Sequence, residues 1–211
     1  VNGAEYSTNA GVSFTPCAGV LAPVNAGNER RGVHVAFDRS SAVVGSGAAA
    51  RTQVLAIIAS GRSVQRSTTG VAGSFSTVGT GGPTVASSIE VANGRIFVCG
   101  AGGSRDSQLF VWNGSAWSQP TAGGNPILAM CVQARPGTPA TVLAMSEGGG
   151  QFFSTHAGDA WSAYVNNVAF KTAANDAPYL AKVNNGYMSL GAFVWDPILD
   201  RVVGGIGIGL F

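Results

Sequence analysis

Residues 6–14 read YSTNAGVSF, and residues 153–161 read FSTHAGDAW. From Ser7 to Phe14 and from Ser154 to Trp161 both follow one formula, Ser-Thr-x-Ala-Gly-x-x-aromatic. Two weaker copies lie between them. Gly114 stands three residues before Trp117, and in STTGVAGSF (residues 67–75) Gly73 stands two before Phe75. Each copy follows a strand-like run (AEYS, SVQRS, QLFVW, QFFS) and leads into another (FTP, FSTV, WSQP, WSAYV). The recurring unit is therefore a hairpin whose turn ends in an aromatic. The residue types fit that role. A hydroxyl or amide side chain at the turn accepts backbone N–H groups two or three residues on. Glycine takes a backbone conformation that a Cβ resists. The aromatic pins the turn by burial, which predicts that Phe14, Trp117 and Trp161 are largely buried at equivalent positions.

The formula resembles the Asp-box, or BNR repeat, Ser-x-Asp-x-Gly-x-x-Trp. Asn9 and His156 occupy its Asp position, the copy at Asn113 lacks the leading Ser, and the copy at Ser67 differs in length. The resemblance implies an all-β fold of the sialidase-like superfamily, a β-propeller of four-stranded antiparallel blades. The box then marks the turn between the third and fourth strands of each blade. The intervening residues supply strands one and two. SSIEVANGRIFVCGAGGSRDSQLFVWNGSAWSQP reads as four strands with Asn93-Gly94 as a tight turn. PILAMCVQARPGTPATVLAMSEGGGQFFSTHAGDAWSAYV reads the same way, with RPGTP as its first loop. Intervals between Phe14, Phe75, Trp117 and Trp161 are 61, 42 and 44 residues. The last two match a four-stranded blade. The surplus in the first falls to the loops CAGVLAPVNAGNERRG and GSGAAART. AAARTQVLAIIAS has some helical character, but its short β-branched run between glycines favours a strand.

The ends complete the count. VNGAEYSTNAGVSFTPC supplies only a third and fourth strand, and LGAFVWDPILDRVVGGIGIGLF only a first and second, turning at Asp196–Arg201. Joined, they make one blade and close a ring of four, with room for a fifth in the long intervals. The strand ending near Phe211 is expected to pair with that around Tyr6. Residues 1–211 are read as one domain, processed or part of a longer chain.

Composition agrees with a turn-dense β protein. Glycine numbers 31 of 211 residues, and charged residues are only 10%, against roughly 25% in ordinary soluble domains. A net charge of +2 provides no field for nucleic acid. No apolar run reaches the roughly 18 residues of a membrane span, so no membrane insertion is expected. Cys17, Cys99 and Cys131 lie far apart without metal-ligand spacing; Cys99 and Cys131 read as small buried hydrophobes, and one disulfide among the three stays open.

The resemblance extends to sialidases and other glycoside hydrolases. Such enzymes need two placed carboxylates, or a tyrosine nucleophile with an acid. The arginine motif that sialidases carry near their start has no counterpart, since the sole Arg-Pro, Arg135-Pro136, lies in a hairpin-like loop. Asp38, Asp106, Asp176, Asp196 and Asp200 read as turn residues, whereas Glu90 and Glu147 are the least explained. His156 is expected to accept turn N–H groups, and His34 to lie on a strand surface. GAGGS, GSGAAA and EGGG are turn glycines without a nucleotide fingerprint. No catalytic, cofactor-binding or metal-binding residue is assigned, and no cofactor is expected. The expectation is a non-catalytic structural or binding module, in a virion or otherwise extracellular. Its partners are other protein subunits of an assembly and surface glycans. Its low charge and Ser/Thr/Gly/Ala richness are similar to those of bacteriophage virion and tail proteins. The alternatives are a sialidase-like hydrolase or lectin, and a secreted or periplasmic assembly factor.

Overall fold

The computed structural model describes residues 4–21, 33–38, 55–59, 62–68, 75–101, 108–129, 131–135, 139–145, 151–163, 188–196 and 201–208. These residues are all β, without a helix, and are arranged in small antiparallel sheets. The strand reading of AAARTQVLAIIAS therefore holds where it is described, at Leu55–Ala59.

The first pair of strands, β1 (Glu5–Tyr6) and β2 (Thr15–Pro16), flanks the first box. Next comes a four-stranded meander of β3 (Val33–Phe37), β4 (Leu55–Ala59), β5 (Gln65–Ser67) and β6 (Ser76–Thr77). A second meander contains β7 (Val85–Ala92), β8 (Arg95–Ala101), β9 (Gln108–Trp112) and β10 (Trp117–Ser118). A small hairpin of β11 (Thr121–Ala122) and β12 (Asn125–Pro126) follows, turning at Gly123-Gly124. This hairpin has no precedent in the repeat. The third meander is β13 (Cys131–Arg135), β14 (Thr141–Met145), β15 (Gln151–Ser154) and β16 (Ser162–Ala163). The last pair, β17 (Met188–Asp196) and β18 (Arg201–Ile208), is paired from Asp196–Arg201 to Met188–Ile208, with a register shift between Leu190 and Ala192.

First strands of successive units lie side by side: β3 against β7, β7 against β13, β13 against β17. The sheets between them stack face to face, as strand alternation dictates. Ile96, Val98, Phe110 and Trp112 of the middle sheet share a core with Ala36, Val64 and Val78 of the first. Their alternates Phe97, Cys99, Leu109 and Val111 share another with Val132, Ala134, Val142 and Ala144 of the third. Burying both faces of the middle sheet explains its near-continuous apolar strands.

Two expectations about the ends are revised. Among the described residues β1 pairs with β2 and β17 with β18, in separate two-stranded sheets, so the joining ladder is not present; Gly209–Phe211 lie outside the described residues. Phe14 is 60% exposed rather than buried, because no sheet among the described residues lies over its turn. Trp117 and Trp161 are partly buried, each packed on a core, while Phe75 is buried against Cys17 and Val20. The loops assigned the surplus residues lie, except for Cys17–Leu21, outside the described residues.

Candidate functional site

The box turns are built by hydrogen bonds that the formula foreshadows. In the first, Ser7 Oγ accepts the amides of Asn9 (3.3 Å) and Gly11 (2.8 Å). In the second, Ser154 Oγ accepts those of His156 (3.2 Å) and Gly158 (2.9 Å). Ala10 and Ala157 share left-handed φ values of 57° and 53°, and Gly11 and Gly158 follow at 87° and 90°. The two turns are thus one structure made twice. The Asp position differs between them. Asn9 Oδ1 accepts the amide of Ser13 at 2.9 Å. His156 does not do this; its exposed ring lies by the Thr155 hydroxyl at 3.2 Å, and Ser154 alone gathers the turn amides by side chain. At the third copy Asn113 Oδ1 accepts the amides of Ser115 and Ala116, both at 3.0 Å, replacing the missing Ser. Gly73 lies outside the described residues.

Each later box leans on the sheet before it. A Cβ on Gly158 would come within 2.7 Å of the Phe97 ring. Trp161 Nε1 donates to Gly158 O at 2.9 Å, closing its own turn. Arg95 reaches across to the same turn, donating to Ala157 O (3.0 Å) and pairing with both oxygens of Asp159 (2.5 and 2.9 Å). Trp117 Nε1 donates to Val78 O at 2.7 Å, and its ring centroid is 5.7 Å from that of Trp112.

Trp117 also borders an open groove of about 370 Å³ with Gly81, Gly82, Phe110, Ser118 and Gln119. Gly82 lies so close under the indole that a Cβ there would sit 2.6 Å from its Nε1. At the rim Gln119 Nε2 donates to Gln108 Oε1 at 2.5 Å. All six lining groups are uncharged. They offer an aromatic edge, a hydroxyl and an amide, the chemistry of neutral polar recognition. The repeat pointed to Trp117, but nothing in the sequence pattern pointed to Gln119 or Gly82.

The titratable candidates disperse. Glu90, on β7, accepts a hydrogen bond from Gln133 Nε2 of the adjacent β13. It therefore faces an amide across the inner strands. Asp38 is buried and accepts the amides of Asn93 (3.2 Å) and Gly94 (2.6 Å), so it braces the first sheet against the middle one, while the loop that follows it lies outside the described residues. His34 is half-buried, not surface-borne: burial lowers its pKa, opposed by a hydrogen bond to the backbone of Ala86. No disulfide joins the three cysteines; Cys99 is buried and Cys131 half-buried. Burial, and secondarily Cys131, pushes the Cys99 thiol well above its usual range, which keeps it protonated and inert. Asp106, Glu147, Asp176 and Asp200 lie outside the described residues, and Asp196 closes β17 opposite Arg201. Among the described residues no three His, Cys, Asp or Glu side chains gather as a metal site, and no helix is long and apolar enough to cross a membrane.

Comparisons with protein-family models, with curated proteins and with solved structures found no match for this chain.

Proposed function

We propose that this chain is a non-catalytic β-propeller module that makes protein or glycan contacts within a viral particle or another extracellular assembly. In this reading the stacked sheets are blades, and the fourth blade is shared between the first and last strand pairs. The groove beside Trp117 carries the functional half of the reading. An indole edge held by its bond to Val78 O, with Ser118 and Gln119 beside it, suits an uncharged sugar or a polar protein loop. Glu90 bonded to the Gln133 amide supports a structural rather than a proton-transferring carboxylate. The low formal charge fits a surface partly covered by neighbouring subunits.

An array of neutral and sialylated glycans, read alongside particle size in the native source, tests the proposal. Binding of uncharged oligosaccharides that Gln119→Ala weakens, or co-sedimentation with a large particle, is expected. Hydrolysis of sialosides or β-glucans abolished by Glu90→Gln, Asp106→Asn or Glu147→Gln would replace it with the hydrolase reading.

A further inference from the structure

The groove beside Trp117 has a hydrogen-bonding polarity that its lack of charge conceals. Its side-chain donors are already engaged within the protein. Trp117 Nε1, the sole donor of the indole, is given to Val78 O at 2.7 Å. The Ser118 hydroxyl donates its one hydrogen to Val111 O at 3.3 Å. Gln119 Nε2 spends one of its two hydrogens on Gln108 Oε1. Trp112 Nε1 has no acceptor among the described residues, but it is buried and stands outside the lining. The acceptors are what remain. Ser118 and Gln119 are both exposed, and neither Ser118 Oγ nor Gln119 Oε1 accepts a hydrogen bond among the described residues. A hydroxyl that has already donated is also the stronger acceptor. The lining side chains therefore offer two acceptor atoms against one spare N–H.

The apolar part of the lining is fixed in advance. Trp117 is held by its bond to Val78, by the Trp112 ring and by Gly82, whose missing side chain leaves room for the indole. A ligand therefore meets a wall that costs little to order. What fits it must bring C–H surface for the indole and O–H donors for Ser118 and Gln119. Carboxylate, sulfate and phosphate groups only accept, so they would set oxygen against oxygen here. An ammonium would bring donors, but no lining carboxylate is there to pair with it. A peptide loop brings a carbonyl acceptor with nearly every N–H. A neutral sugar ring brings C–H faces and a rim of hydroxyls, each able to turn its hydrogen to an acceptor. The volume of about 370 Å³ is at the small end of ligand sites and suits a short saccharide. We infer that the groove is a subsite for one neutral hexose unit of a glycan, held by hydrogens that the sugar donates, and that it disfavours acidic sugars. This rests on the binding-module reading and decides, within it, for a sugar over a protein loop.

Ligand-observed NMR titration of the full chain with the methyl glycosides of glucose, galactose and mannose tests the subsite. At least one of the three is expected to bind. Replacing a single hydroxyl of that sugar by fluorine keeps its shape and removes a donor; at least one such analogue should bind about tenfold more weakly. The matching 6-uronate should also bind more weakly than its hexoside. Gln119→Leu, at an exposed position where the melting temperature should not move, is expected to weaken binding about tenfold. Gln119→Glu keeps the acceptor oxygens and should retain the affinity. The inference is overturned if none of the three hexosides binds, if every fluorinated analogue binds like its parent, if the uronate is preferred, or if Gln119→Glu behaves as Gln119→Leu does. Co-sedimentation with a particle, without binding of any hexoside, would overturn the subsite and leave the module reading standing. Co-sedimentation that Gln119→Leu abolishes, again without sugar binding, would give the groove to a protein loop and overturn the inference. Sugar binding with this selectivity accompanied by hydrolysis would support the subsite and remove the non-catalytic reading.

Discussion

The carboxylate of Asp38 and the amide of Gly94 meet at 2.6 Å across the boundary between the first and middle sheets, with the Asn93 amide on the other oxygen at 3.2 Å. One buried side chain at the end of β3 thereby ties down the turn that opens β8. Removing it strands two donors of a tight turn. Asp38→Ala should cost about 2–3 kcal/mol in urea unfolding, and Asp38→Asn, which keeps one acceptor oxygen, about 1 kcal/mol. An Asp38→Ala protein that unfolds like its parent would show that the brace is idle.

The two matching box turns differ in burial, and that difference sets their worth. Ser154 is buried while Ser7 is only half-buried, in a turn whose other residues are exposed. Ser154→Ala leaves the His156 and Gly158 amides without their acceptor and should cost about 1–3 kcal/mol; Ser7→Ala, where water can substitute, should cost below about 1 kcal/mol. Equal losses at the two sites in thermal melts would contradict the burial argument.

Glycine substitution separates backbone strain from crowding. Gly11 and Gly158 have nearly the same φ, yet a Cβ on Gly11 meets nothing nearer than 4.0 Å, and one on Gly158 meets Phe97 at 2.7 Å. Gly11→Ala should therefore show the left-handed penalty alone, about 1 kcal/mol, and Gly158→Ala roughly 3 kcal/mol once the Phe97 ring is displaced. The gap between the two variants measures how firmly the third sheet's turn is seated on the middle sheet.

His34 adds a pH dependence whose sign is fixed by its environment. Burial lowers its folded pKa below the ordinary 6.5, with the Ala86 bond opposing, so the unfolded chain binds the proton more readily. Its contribution to stability is complete above the unfolded value, is lost as pH falls through it, and levels off below the folded value. Melting temperature should drop as pH falls through about 6.5 and below, and His34→Gln should flatten part of that slope. A slope identical in parent and variant would assign the effect to other groups.

Strand placement was largely legible in the sequence because it depends on local chemistry. The runs flanking every box copy became β1–β2, β5–β6, β9–β10 and β15–β16, and Asn93-Gly94 became the turn between β7 and β8. The turn at Asp196–Arg201 was equally local. The features without a local signal depend on partners distant in the chain. The brace made by Asp38 has partners more than fifty residues on, which no local pattern announces. Phe14 obeyed the box formula, but burial requires a neighbouring sheet, and the formula does not contain one. The β11–β12 hairpin rests on Gly123-Gly124 between short polar runs, with no apolar alternation to announce it. The groove at Trp117 depends on Gly82 and Gln119 converging from separate strands and loops, which spacing alone does not reveal.

Each four-stranded sheet is made from one continuous stretch of chain, and each stacks on its sequence neighbour. Such an arrangement assembles as a series of nearest-neighbour steps, with short loops closed first and the more distant contacts later. The middle sheet shares a core with the sheet on either side, so it gains from two steps where the terminal pairs gain from fewer. It is the natural nucleus on which growth proceeds in both directions, and on denaturation it should be the last unit to open. A ribosome releasing this chain would therefore present a stable inner segment before the last strand pair had emerged.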